Sequence, residues 1–153
     1  MIAVIHSVNV NPLGGVPKPR VDCARLRKEG VEGDKQNDMR YHGGVRRAIC
    51  LFSLQKILDL QAEGHPIDVG TTGENLTIEG LDWNSLEEGM ELSIGDAVIE
   101  LTKAAPPCNV IAKSFTDGDS NRISEERFPG WSRWYAAVAV EGVVSIGDIV
   151  IIL

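Results

Sequence analysis

The sequence predicts a mostly β, barrel-like domain with a few short helices. Three observations carry that expectation. Short apolar runs recur between glycine and aspartate turns. "EGMELSIGDAVIEL" (88–101) is echoed by "EGVVSIGDIVIIL" (141–153), one residue shorter. Helical spacing of apolar residues is confined to two short stretches. Each copy of the echo reads as a turn, a short strand, an Ile-Gly-Asp turn and an apolar strand. Recurrent hairpins are what a strand-rich barrel produces, because glycine serves their positive-φ positions.

The elements follow in order. Residues 1–10 read as a buried strand, ended by "NPLGG". "VDCARLRKEGVEGD" reads as a strand running into a Gly/Asp turn. "RRAICLFS" is a further strand, with Ala48, Cys50 and Phe52 on one face and Ile49 and Leu51 on the other. Ser53 caps a helix carrying Leu54, Ile57, Leu58 and Gln61 at helical spacing; Gly64 ends it, and Pro66 follows. A second helix starts after Cys108, with Val110, Ile111, Ser114 and Phe115 on one face. "TDGDSNRISEERFPGWSR" is a surface loop with one helical turn.

With 153 residues, 43% hydrophobic and 24% charged, the chain suits one compact domain over 1–153. The first residues lack a cationic n-region, and no apolar stretch approaches membrane-spanning length. Three scattered cysteines without a C-x-x-C pair fit a reducing compartment, so the expected location is cytoplasmic and away from the membrane. A net charge of -7 argues against nucleic acid as a partner. The charge is uneven: the span from Lys18 to Arg47 carries +4 and the remainder -11. A basic segment on an acidic protein either binds a small anion or forms a solvated, self-paired surface.

Three motifs can carry chemistry. In "GDKQNDMRYHGG" (33–44), Gly43 and Gly44 permit close backbone approach to an oxyanion, with Lys35, Arg40, Arg46 and Arg47 nearby and His42 able to move a proton. The same residues also make an ordinary polar hairpin loop. In "GTTGENLTIEGLDW" (70–83), Thr72, Glu74 and Asn75 can bind a ligand, but these types favour tying a tight loop by side-chain hydrogen bonds. In "LTKAAPPCNVIAKSF" (101–115), Pro106 and Pro107 stiffen the approach to Cys108, which stands at a helix start. Helix-end potential there would favour the thiolate that binds soft metals or carries sulfur. A passive cysteine capping a loop is the alternative, and Cys23 and Cys50, inside strands, read that way.

Taken together, "GDKQNDMRYHGGVRRAICLFS", "GENLTIEGLDW", "IGDAVIELT", "PPCNVIAKSF" and "PGWSRWYAAVAVEGVVSIGD" resemble, in that order, the small single-domain bacterial type of MOSC domain, named for the C-terminal domain of molybdenum-cofactor sulfurase. The resemblance implies a pyruvate-kinase-barrel-like β fold and the molybdenum cofactor (molybdopterin), with Cys108 as molybdenum ligand. It implies a catalytic pair of Cys108 and His42, and cofactor contacts from Lys18, Arg20, Lys35, Gly43, Gly44, Arg46, Arg47, Thr72 and Asn75. The implied activity is a molybdenum-dependent reductase of N-hydroxylated small molecules, served by a separate electron-donor reductase. The alternative is a sulfur carrier or cofactor-handling protein that receives a persulfide on Cys108 from a sulfur donor. No pyridoxal phosphate chemistry is expected in this chain. Two departures stand out. Many relatives carry an arginine two residues before the cysteine, where this chain has Pro106. An aspartate often follows His-Gly-Gly, where this chain has Val45, Arg46 and Arg47.

Overall fold

The computed structural model describes residues 2–35 and 44–153. Eleven strands are described: β1 (Val4–Asn9), β2 (Arg20–Val21), β3 (Cys23–Arg27), β4 (Gly30–Val31), β5 (Ile49–Ser53), β6 (Leu76–Glu79), β7 (Glu91–Ile94), β8 (Ala97–Ala105), β9 (Arg133–Val140), β10 (Gly142–Ser145) and β11 (Val150–Ile152). One α-helix, α1 (Leu54–Ala62), joins β5 to β6. Four short 3-10 helices complete the described elements: Val45–Arg47, Trp83–Ser85, Asn109–Ser114 and Ser120–Ile123. Among the described residues no helix is long and apolar enough to cross a membrane.

The fold is mostly β, as the sequence predicts, but it is not a closed barrel. The strands form two open sheets, one ordered β11-β7-β8-β9-β5-β6-β1-β2 and one ordered β10-β3-β4. A closed barrel would run a ladder between β1 and β11. Instead a single bridge, Val4 to Ile149, joins them. The Ile146-Gly147-Asp148 turn occupies that seam, where Gly147 N donates to Ile5 O at 2.8 Å and Ile5 N to Asp148 O at 2.9 Å. Val150 N also donates to Ala3 O at 2.9 Å, and among the described residues no ladder continues from that bridge.

Both Ile-Gly-Asp turns introduce strands as expected: Gly95 and Asp96 join β7 to β8, and Gly147 and Asp148 stand between β10 and β11. The two turns also meet. Asp96 N donates to Val143 O at 3.2 Å. Gly95 has φ +55, and a Cβ there would collide with the Asp148 carboxylate and lie 2.9 Å from Val143 O. That position therefore requires glycine on both conformational and packing grounds.

All five residues of β5 are buried, so both of its faces are covered. It lies between β9 and β6, and the side-chain pattern of a strand covered on both faces is continuous rather than alternating. It runs parallel to β6, in register Leu51 to Leu76 and Phe52 to Thr77. A parallel pair needs a crossover, and α1 supplies it. The Ser53 side chain caps α1 by accepting from Lys56 N at 3.3 Å, while Ile57 and Leu60 face the core. Phe52 meets Trp83 edge-on, with ring centroids 6.4 Å apart.

The helix expected after Cys108 is a six-residue 3-10 helix. Ile111 and Ser114, three residues apart, are buried, and Phe115 turns extended to enter the core. Val110 is exposed and does not share their face. The three-residue period suits a stretch that must bury one edge and stop.

Candidate functional site

A cavity of about 440 Å³ opens where β5, β8 and β9 lie side by side. Register explains which side chains reach it. Cys50 on β5 stands opposite Tyr135 on β9, which stands opposite Lys103 on β8. Strand neighbours in register share a face, and all three line the cavity. The β8–β9 ladder shifts between Leu101 and Lys103, and Thr102 at the shift donates to Arg46 O at 2.6 Å. Irregularities of this kind re-aim side chains at a strand end. Three residues past the end of β8, after Pro106 and Pro107, Cys108 lines the cavity half-buried, as the N-cap of the 3-10 helix and without a side-chain capping bond.

The walls combine charge of one sign with apolar surface. Among the described residues Lys18, Lys35, Arg47, Lys103 and Arg133 line the cavity, and no Asp or Glu does. Val16, Ile49, Pro106, Pro107, Val110 and Ile111 supply the apolar part. Such a site suits an anionic small molecule with a flat or apolar body.

The predicted site residues divide. Cys108, Lys18, Lys35, Arg47 and Thr72 reach the cavity. Lys18 is buried and its ammonium is paired with Asp34, so its charge is already compensated. Arg20 is exposed on β2, away from the lining. Arg46 turns out to solvent and pairs with Glu100 at 3.3 Å. Gly44 has φ +84 before the first 3-10 helix and does not line the cavity. Asn75 ties the floor together: its Nδ2 donates to Asn9 O and Asp34 Oδ2, and its Oδ1 accepts from Cys50 N at 3.1 Å. His42 and Gly43 lie outside the described residues.

The 70–75 loop is held by a fully buried carboxylate. Glu74 accepts from Gly70 N at 3.0 Å, Thr72 Oγ1 at 2.7 Å and Thr77 Oγ1 at 3.0 Å. Burial pushes its carboxyl above the usual range, opposed by these hydrogen bonds. The loop-tying reading of Thr72, Glu74 and Asn75 is thus the one their contacts support.

Four lining residues escaped the sequence reading: Cys50, Lys103, Arg133 and Tyr135. Burial pushes the Cys50 thiol up, while the nearby Arg133 charge opposes that shift. Burial likewise pushes the Tyr135 phenol up to about 12. Arg133 donates from Nη1 to Thr72 O at 2.7 Å and from Nη2 to Pro106 O at 3.0 Å. A guanidinium therefore does reach Pro106, from a distant strand. Its only trace in the sequence is a charged residue opening the apolar run "WYAAVAV".

The MOSC domain pattern matches residues 38–151. Among curated proteins, the chain is 29% identical over 135 residues to the uncharacterized protein YflK of Bacillus subtilis (strain 168), covering 88% of this chain and 60% of that protein. It is 27% identical over 135 residues to protein YiiM of Escherichia coli (strain K12), covering 85% of this chain and 59% of that protein. The chain thus spans about three fifths of the length of these relatives. Solved structures share the fold. YuaD from Bacillus subtilis has a TM-score of 0.75 at 19% identity, covering 98% of this chain and 94% of that one. YiiM from Escherichia coli has a TM-score of 0.74 at 23% identity, covering 100% of this chain and 70% of that one.

Proposed function

The chain belongs to the MOSC domain family, which is associated with binding the molybdenum cofactor, and we propose that its cavity holds that cofactor with Cys108 as the metal's protein ligand. The observation that carries this reading is the setting of Cys108: a half-buried thiol on a cavity wall that, among the described residues, is lined by five cations and no carboxylate. The donor chemistry fits. One soft thiolate suits molybdenum, cations suit the pterin phosphate, and apolar walls suit a planar ring. Among the described residues no cluster of three His, Cys, Asp or Glu side chains is placed to hold a bare ion. A metal at Cys108 would accordingly arrive with ligands of its own.

We further propose reduction of N-hydroxylated small molecules. The overall change consumes two electrons and two protons, breaks the N–O bond and releases water, with the electrons drawn from a separate reductase. When bound, the cofactor supplies the redox chemistry. The chain's own residues do the rest. Cys108 fixes the metal's position, and the stiff Pro106-Pro107 approach limits its movement. Lys35, Arg47 and Lys103 hold negative charge. Val16, Ile49 and Ile111 exclude water. Tyr135, with its phenol raised to about 12, keeps its proton at Oη throughout the physiological range.

The test is metal and pterin analysis of protein purified from a cofactor-producing host. Stoichiometric molybdenum and pterin in the wild type, both lost in a folded Cys108→Ala variant, is the expected result. Sulfane sulfur on Cys108 with no metal would replace this reading by the sulfur-carrier one. Metal retained in Cys108→Ala would reject the ligand assignment.

A further inference from the structure

The cavity wall contains a buried cation without a counter-charge. Arg133 is 3% exposed, and its Nε is buried with no acceptor. Its Nη1 and Nη2 donate to neutral carbonyls, Thr72 O and Pro106 O. Among the described residues no carboxylate pairs with it. The contrast with other cations is plain. Lys18 is held by Asp34, and Arg122 makes two bonds to Glu63, at 3.0 and 2.7 Å. A buried guanidinium without an anion is costly to keep. Arg133 lines the cavity, where an anionic ligand would supply the missing counter-charge. The adjacent Cys50 thiol is a weak acceptor, and its burial opposes ionisation.

We propose that Arg133 is an oxyanion subsite, whose guanidinium takes a carboxylate or phosphate group of the small molecule bound beside Cys108. This rests on the reading that the cavity holds an anionic ligand, and adds which residue selects it. The two carbonyls belong to different segments, the 70–75 loop and the stretch leading to Cys108. They fix the guanidinium plane before any ligand arrives, which lowers the ordering cost of binding. Arginine is suited to this because its fork makes paired, directional bonds to planar acids. The acid group has two possible sources, the cofactor's phosphate or an acid group on the substrate.

The experiment follows the guanidinium NMR signals of Arg133 in the full chain, assigned by their loss in Arg133→Lys. Inorganic phosphate and acetate are titrated into cofactor-free protein at constant ionic strength, with chloride as control. The expected result is a saturable shift of the Arg133 signals by phosphate, with binding weakened at least about tenfold in Arg133→Gln, as expected for loss of a charge-assisted pair. Unchanged wild-type signals would overturn the subsite, whether or not Arg133→Gln folds. Repeating the titration on cofactor-loaded protein separates the sources. Signals already shifted and insensitive to phosphate assign the group to the cofactor; signals that still respond assign it to the substrate. The two proposals fail separately. Phosphate-responsive Arg133 in protein that never acquires molybdenum or pterin rejects the cofactor reading alone. Cofactor bound with Arg133 unmoved in every form rejects the subsite alone.

Discussion

Replacing Glu74 tests how the cavity floor is held. Its carboxylate satisfies Gly70 N–H and two threonine hydroxyls in a place no water reaches. Glu74→Ala leaves the buried Gly70 N–H without an acceptor, which costs about 1–3 kcal/mol. The hydroxyls can rotate to other partners, but the deleted atoms leave a small void, so about 3 kcal/mol in total is a fair expectation. At about 2–4 °C per kcal/mol for a chain of this size, the midpoint should fall by about 6–12 °C. Glu74→Gln behaves differently. An amide oxygen can take over the Gly70 and Thr77 bonds, and the amide NH2 can donate to Thr72 Oγ1 if that hydroxyl turns to accept. The charge disappears. Because burial raises the Glu74 pKa in the folded state, folding favours its protonated form. Stability from this group is then fully present below the unfolded pKa and is lost as pH rises through the folded one. Thermal unfolding of wild type and Glu74→Gln from pH 4 to pH 8 should show the variant gaining on the wild type as pH increases. A wild type that gains on Glu74→Gln over that range would refute the reasoning, since the hydrogen bonds would then outweigh the burial of charge.

Two further outcomes are expected. In a Cys23→Ser background, Cys108 should alkylate in the folded protein while Cys50 reacts only on unfolding, since one is half-buried and the other buried with a raised pKa; mass mapping of labelled sites checks this, and equal rates would contradict it. Gly95→Ala should destabilise by about 2 kcal/mol or more, because the positive φ and the Asp148 contact both penalise a Cβ. That change also threatens the 2.7 Å bond from Ser145 N to Asp148 Oδ2. Denaturant unfolding measures it, and wild-type stability would show that the turn relaxes.

What was legible in the sequence is what a few neighbouring residues determine. Ser53 and the apolar spacing announced α1 because capping and amphipathicity act within one turn or two, although the face they implied was off: Leu58 is exposed and Leu60 joins Ile57 in the core. The Ile-Gly-Asp turns were legible because positive φ is a local demand on glycine, but only the first closes a hairpin, β7–β8; the second passes the chain from β10 in one sheet to β11 in the other. Pro106, Pro107 and the start of a helical turn marked Cys108 for the same reason. Family resemblance added the identity of the chemistry to be looked for. The rest required the sheet. Cys50, Lys103 and Tyr135 are separated by 85 residues between the first and last of them, and they share a cavity only through the β5–β9–β8 register. Arg133 looks like a routine residue at the start of a strand until Thr72 and Pro106 are brought to it. Lys18 looked free to bind an anion until Asp34 was found against it. Whether the sheet closes depended likewise on how far β1 and β11 overlap. Local chemistry is set by short-range sterics and hydrogen bonds, whereas the choice of strand neighbours, and so the partner of every charge, is set by burial summed over the whole chain.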